Sequence, residues 1–161
     1  MKRLGLVIGL AMIMAVPLAA SATAGDHRPM AGGFTVGVVP TEQRCGAAAL
    51  TLGFEGTGIA THLGAFTGAG TNCTSFDFFT NDVPIYDGIA TFVAPDGSTL
   101  TTHYSGTQRA PVGVVAAVEA THIVVGGTGR FVGASGVWES AGTIDFATGT
   151  STSTLSGWVS Y

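Results

Sequence analysis

Beyond residue 24 the chain holds no run with a helical apolar stripe. Its apolar residues recur at every second position, or in short blocks, between turns that carry glycine. A period of two is the signature of half-buried strands, so the chain reads as all-β. Candidate strands are residues 34–39, 47–55, 59–67, 75–79, 88–94, 99–106, 112–125, 131–144 and 150–161. In Pro95-Asp96-Gly97, proline fixes φ and glycine takes the positive-φ position of a hairpin turn. Ala147-Thr148-Gly149 plays the same part before the last strand. Near-regular strands with glycine turns argue a barrel or a sandwich. Gly58-Ile59-Ala60-Thr61-His62 and Gly88-Ile89-Ala90-Thr91-Phe92 share four of five residues, which is too short to define a repeat.

The first residues stand apart from this pattern. Lys2 and Arg3 precede an apolar run from Leu4 to Ala20, and Ala22-Thr23-Ala24 fits a small-x-small cleavage site. This is the pattern of a secretory signal peptide over residues 1–24, with Ala20-Ser21-Ala22 as a second cleavage choice. About 17 apolar residues is short for an uncleaved membrane anchor. The expected location is secreted or periplasmic, with the membrane met only during export. Cleavage after Ala24 leaves 137 of the 161 residues, enough for one domain with its own core. Lys2 and Arg3 leave with the leader, so four arginines face ten acidic residues and the formal charge is −6. Such a surface offers no dense basic patch, which excludes nucleic acid as an expected partner.

Cys45 and Cys73 are the only cysteines. In an exported chain a disulfide between them is expected, closing a loop of about 29 residues. Metal binding is the competing reading, but there is no CxxC and no histidine at ligand spacing. Asn72-Cys73-Thr74 also fits a glycosylation acceptor, relevant in a eukaryotic host, although a paired Cys73 would crowd it.

Two stretches bear on what the barrel does. Along 112–125 one face carries Val112, Val114, Ala116, Val118, Ala120, His122 and Val124. The other carries Gly113, Val115, Ala117, Glu119, Thr121, Ile123 and Val125. Both faces are largely apolar, so something should cover the outer one, and subunit association is the simplest cover. The second stretch is GGTGRFVGASG, residues 126–136. A phosphate-binding loop would need a helix after it, and glycines 133 and 136 oppose one. The third glycine also falls one residue late, and no lysine follows. The stretch is expected to be a strand, a tight glycine turn, and a strand in which Phe131 packs inward.

Val125-Gly126-Gly127-Thr128-Gly129-Arg130-Phe131 with Ala134-Ser135-Gly136 resembles a segment of the allene oxide cyclase and dirigent barrel superfamily. Gly58, Thr61-His62-Leu63-Gly64, Gly88-Ile89-Ala90-Thr91-Phe92 and Asp96-Gly97-Ser98-Thr99-Leu100 resemble a bacterial exported branch of it. The resemblance spans about residues 46–161, assigned as the barrel domain, with 25–45 as an N-terminal segment holding a candidate first strand. It implies a closed eight-stranded antiparallel β-barrel, an interior for a small apolar molecule, no cofactor, and homotrimers. Motifs matching the cyclase Glu–Tyr–Asn–Cys constellation or the dirigent Asp–Arg–Tyr set are not found.

Glu119, a carboxylate in an apolar strand, is the candidate catalytic acid or base, with exposure to water or pairing with Arg109 or Arg130 as the alternative. His103, Tyr104, His122 and Arg130 are candidate ligand-binding residues. His62, His103 and His122 each follow a threonine and could line one cavity as a metal site or proton relay, although ordinary strand histidines are commoner and no metal is expected. Trp138 is a cavity wall or core. Ser135 lacks the spacing of a nucleophile elbow, and Asp82 and Asp87 read as turn residues around Pro84. The expected function is a secreted barrel that binds or conformationally guides a small apolar molecule. The alternatives are a structural envelope barrel filled by Phe54, Phe66, Phe92 and Phe131, a cofactor-free isomerase or cyclase, and a small outer-membrane barrel.

Overall fold

The computed structural model describes residues 26–161. The expected signal peptide lies outside the described residues. Eight strands follow one another in chain order: β1 (Arg28–Val39), β2 (Leu50–Ala60), β3 (Gly64–Thr74), β4 (Val83–Val93), β5 (Thr99–Gln108), β6 (Val115–Gly127), β7 (Ser135–Asp145) and β8 (Thr150–Ser160). Each pairs antiparallel with the next, and β1 pairs with β8, so the sheet closes into a barrel. The fold is the eight-stranded antiparallel barrel that the glycine stretch suggested.

The candidate strands need four corrections. The run 59–67 is two strands, because His62 at φ 68° and Gly64 at φ 72° make a tight reversal between β2 and β3. Thr61 fixes that reversal by accepting from the Ala31 amide and donating to the Pro29 carbonyl. Residues 75–79 form a turn-rich loop, not a strand. β6 begins at Val115, because Val112–Val114 is spent on a turn closed by Val112–Val115 hydrogen bonds. Phe131 sits in a 3-10 turn, Gly129–Phe131, and β7 starts only at Ser135. The N-terminal segment is also more than an appendage. β1 runs from Arg28 and lies between β2 and β8, so the barrel reaches N-terminally past residue 46 to Arg28.

Alternation decides what faces inward. On β6 the inward set is Ala116, Val118, Ala120, His122 and Val124, while Val115, Ala117, Glu119, Ile123 and Val125 face out. Across the outside, one register row reads Thr143, Thr152, Thr35, Thr57, Thr67, all exposed. Threonine pairs suit a wetted pleated surface. The apolar side chains packed inside and the threonines outside run opposite to a membrane-spanning barrel.

The two ends of the barrel differ. At the end holding the β2–β3 and β6–β7 connections, Met30, Leu63, Leu100, Phe131, Trp138 and Val159 are almost completely buried and plug the interior. The glycine stretch provides the plug. Gly129 takes φ 58°, the Arg130 amide donates to Ser98 Oγ, and the turn drops Phe131 into the core against Tyr161 at 4.9 Å. Burying one such ring is worth roughly 1.5–3 kcal/mol.

Candidate functional site

Beyond the plug, the interior stays open. A cavity of about 110 Å³ lies in the half of the barrel towards the opposite end. Its walls are mostly apolar, with Phe34, Val36, Leu52, Phe54, Ile85 and Ile144 among them. Phe66 and Phe92, edge to face at 5.5 Å, form its inner boundary with the plug. Gly68 and Gly70 line it from β3 and let neighbours close in, since a Cβ at 70 would stand 2.7 Å from the Ile89 carbonyl oxygen and one at 68 would stand 3.3 Å from the Phe92 ring. The polar groups on the wall are Asn72 on β3, Thr74 on β3, Tyr104 and Gln108 on β5, His122 on β6, Ser140 on β7, and Ser151 and Ser153 on β8. None carries a formal charge at neutral pH when His122 is neutral.

His122 is held from four sides. Its ring stacks on Tyr104 at 4.8 Å and 20°, and on Trp138 at 5.5 Å and 14°. Nδ1 lies 3.2 Å from Thr102 Oγ1, and Nε2 lies 3.3 Å from Ser140 Oγ. Both partners are hydroxyls, which donate or accept, so either neutral tautomer is satisfied. Burial removes the imidazolium's hydration and pulls the His122 pKa down to about 4. His122 is therefore a neutral hydrogen-bonding wall residue at pH 7.

Tyr104 is controlled by the strand beside it. It pairs with Gly88 of β4, and a Cβ at that position would stand 2.7 Å from the Tyr104 ring. Glycine therefore lets the ring lie flat over the neighbouring strand. Burial pushes the Tyr104 phenol up to about 12, with the Asn72 side chain and then Arg44 acting in the opposite direction. The phenol stays protonated and available as a donor.

The open rim is braced by the disulfide. Cys45 and Cys73 are bonded, with Cα atoms 5.6 Å apart. The bond ties the segment between β1 and β2 to the end of β3. Arg44 beside it pairs with Asp87 and donates Nε to Thr71 Oγ1 at 3.1 Å. Asp87 sits at φ 51° where the β4 register shifts between Ile85 and Gly88. On the other side of the rim, Phe78, Phe79 and Phe146 cluster, and Gln108 Nε2 donates to the Phe78 carbonyl at 2.8 Å.

Of the five residues singled out in the sequence, the structure brings Tyr104 and His122 into the cavity. His103 points outward, as its place beside Tyr104 requires. Glu119 is exposed on the outer face, paired in register with Thr107 and Ala141. Strand alternation removes it from the cavity, so no acid–base role there fits it, and its charge is felt by Arg109 instead. Arg130 lies at the plugged end, where it pairs with Asp96, donates to the His62 carbonyl and covers the Phe131 ring. It braces the plug and does not reach the cavity. His62 lies in the β2–β3 turn, His103 outside and His122 inside, so the three histidines do not meet. Among the described residues, no three or more His, Cys, Asp or Glu come together as a metal site would need.

Polar wall or support residues not singled out in the sequence include Asn72, Ser140 and Thr102, together with Thr74, Gln108, Ser151 and Ser153. Asn72 is only 3% exposed and faces inward, which also rules it out as a glycan acceptor in this fold. The available signal was alternation. Residues 66, 68, 70, 72 and 74 share one face of β3, and that face turned inward.

No protein-family model and no curated protein matches the chain. Among solved structures, it is similar to the pterocarpan synthase dirigent protein PsPTS1 at 16% sequence identity and a TM-score of 0.47. That alignment covers 84% of this chain and 96% of the other.

Proposed function

We propose that this protein is an exported, dirigent-like barrel that takes a small, uncharged, mainly apolar molecule into its interior and holds it in a chosen conformation without a cofactor. The observation that carries this reading is the half-open interior. One end is sealed by Phe131 and its neighbours, while the other half keeps a cavity of about 110 Å³ with apolar walls and a few neutral polar groups. A charged ligand would lose hydration there without a counter-charge. A flexible apolar one would gain from burial and lose conformers it does not need. Export accords with the leader-like first residues and with the Cys45–Cys73 bond.

The filled structural barrel is the second reading, favoured by the plug itself, which occupies the other half of the interior. The isomerase or cyclase reading loses its acid–base candidate with Glu119 outside. Guiding a conformer needs no such group. Trimer formation would cover Ile123 and Val125, which stay 57% and 52% exposed on the outside of β6.

Toluene titration by calorimetry tests the reading. One site per chain is expected, lost when Val118→Phe fills the cavity from β6. Absence of uptake by the unaltered protein would leave the filled-barrel reading in its place.

A further inference from the structure

Asn72 Oδ1 is fully buried and has no hydrogen-bond partner among the described residues. Burying an amide oxygen without a donor forfeits its hydration with nothing in exchange, so such atoms in native proteins call for an explanation. Here the residue lines the cavity and stands beside Tyr104. Among the described residues Trp138 Nε1 is a second buried side-chain atom without a partner, but Trp138 belongs to the plug and does not line the cavity.

The surrounding groups define what Asn72 can take. Its side chain acts on the Tyr104 phenol against the effect of burial, so the two side chains are neighbours on the wall. Oδ1 is the atom left without a partner and is the free acceptor. The Tyr104 hydroxyl, a protonated phenol, has its hydrogen to give. His122 is unavailable, because both ring nitrogens already face hydroxyls. On the stretch of wall from β3 across β4 to β5, Asn72 and Tyr104 therefore offer one acceptor and one donor. A single hydroxyl satisfies both, donating to Asn72 and accepting from Tyr104. A carboxylate cannot donate to Asn72 and would bring an unpaired charge.

We infer that Asn72 and Tyr104 form a hydroxyl-recognition site, and that the ligand is a neutral hydrocarbon framework carrying one hydroxyl seated between them. This rests on the cavity reading above and adds a chemical class and an orientation to it. The hydroxyl anchors one end, and the hydrocarbon lies against Phe34, Phe54 and Val36. Asn72 and Tyr104 are then specificity-determining residues.

Two probes of similar shape test it on the full protein: cyclohexanol and methylcyclohexane, in which a methyl replaces the hydroxyl. Asn72→Leu is expected to weaken cyclohexanol binding at least tenfold while leaving methylcyclohexane within about twofold. Tyr104→Phe, which keeps the ring and its stacking on His122, is expected to act in the same direction and guards against a folding defect in the leucine variant. If methylcyclohexane binds but neither substitution separates the two probes, the hydroxyl site is wrong and the cavity reading stands. If the unaltered protein binds neither probe, the cavity reading falls and the hydroxyl site with it.

Discussion

His122 Nε2 lies 3.3 Å from Ser140 Oγ, one strand away in the closed sheet, with both side chains buried. The contact joins a titratable ring to a neutral hydroxyl, and burial alone sets the ring's protonation. The His122 pKa of about 4 in the fold compares with 6.5 for an ordinary histidine. The unfolded chain therefore binds a proton between these values that the folded chain refuses. Stability is unaffected by this group above about pH 6.5, falls as pH drops towards 4, and levels off below it. The shift corresponds to about 3 kcal/mol. Urea unfolding at pH 7, 5 and 4 should trace that loss, and His122→Gln should flatten it. An unchanged slope in the variant would assign the acid sensitivity to other groups.

Tyr104 gives the opposite limb. Its pKa of about 12 exceeds the ordinary 10, so the unfolded chain releases a proton before the folded one does. Stability is therefore lost as pH rises through 10 towards 12. In the folded protein, Tyr104→Phe should leave the tyrosinate absorbance step between pH 9 and 11 unaltered. A step reduced by one tyrosine would place the phenol in water.

The disulfide closes a loop between residues 28 positions apart. The chain-entropy model gives about 3–4 kcal/mol for a loop of that length. Replacing both Cys45 and Cys73 with serine should lower stability by that order. Because Arg44 and its contact with Asp87 are anchored beside the bond, the same change should also weaken ligand uptake at the rim. Equal uptake with reduced stability would separate the brace from the cavity.

Arg130 should behave as a plug residue. Its ion pair with Asp96 is partly exposed, so solvent screens the pair and its own contribution is small. The stem also covers Phe131, and loss of that packing adds to the effect. Arg130→Ala should cost about 1 kcal/mol in thermal or urea unfolding and leave probe affinity unchanged. A fall in affinity at unchanged stability would return Arg130 to the ligand site.

What could be read from the sequence follows the physics of each element. Period-two alternation and glycine turns define the strands, and the 95–97 turn forms as expected, with Gly97 at φ 81° and Ser98 bonded to Asp96. Alternation also says that His103 and Tyr104 oppose each other, but it does not say which side is inside. That choice belongs to barrel closure, a relation among eight strands. It turned His122 in and Glu119 out, which is the water-facing one of the two readings open for Glu119. At the β2–β3 reversal Gly64 at φ 72° was the visible signal, but one glycine among apolar residues does not mark a turn, and the positive φ of His62 is announced by no residue type. Asn72 was hidden for a different reason. Alternation puts it on one face of β3 with Phe66 and Thr74, but only barrel closure turns that face inward.

If the open half of the barrel receives a small neutral molecule, amide NMR spectra recorded with increasing toluene should show it. Saturable shifts are expected at Asn72, Tyr104, Val118, Ala120 and Ser140, with Thr35, Thr57 and Thr152 on the outer face unmoved. Shifts confined to the outer face, or none at any concentration, would mean that the barrel interior takes up no such molecule.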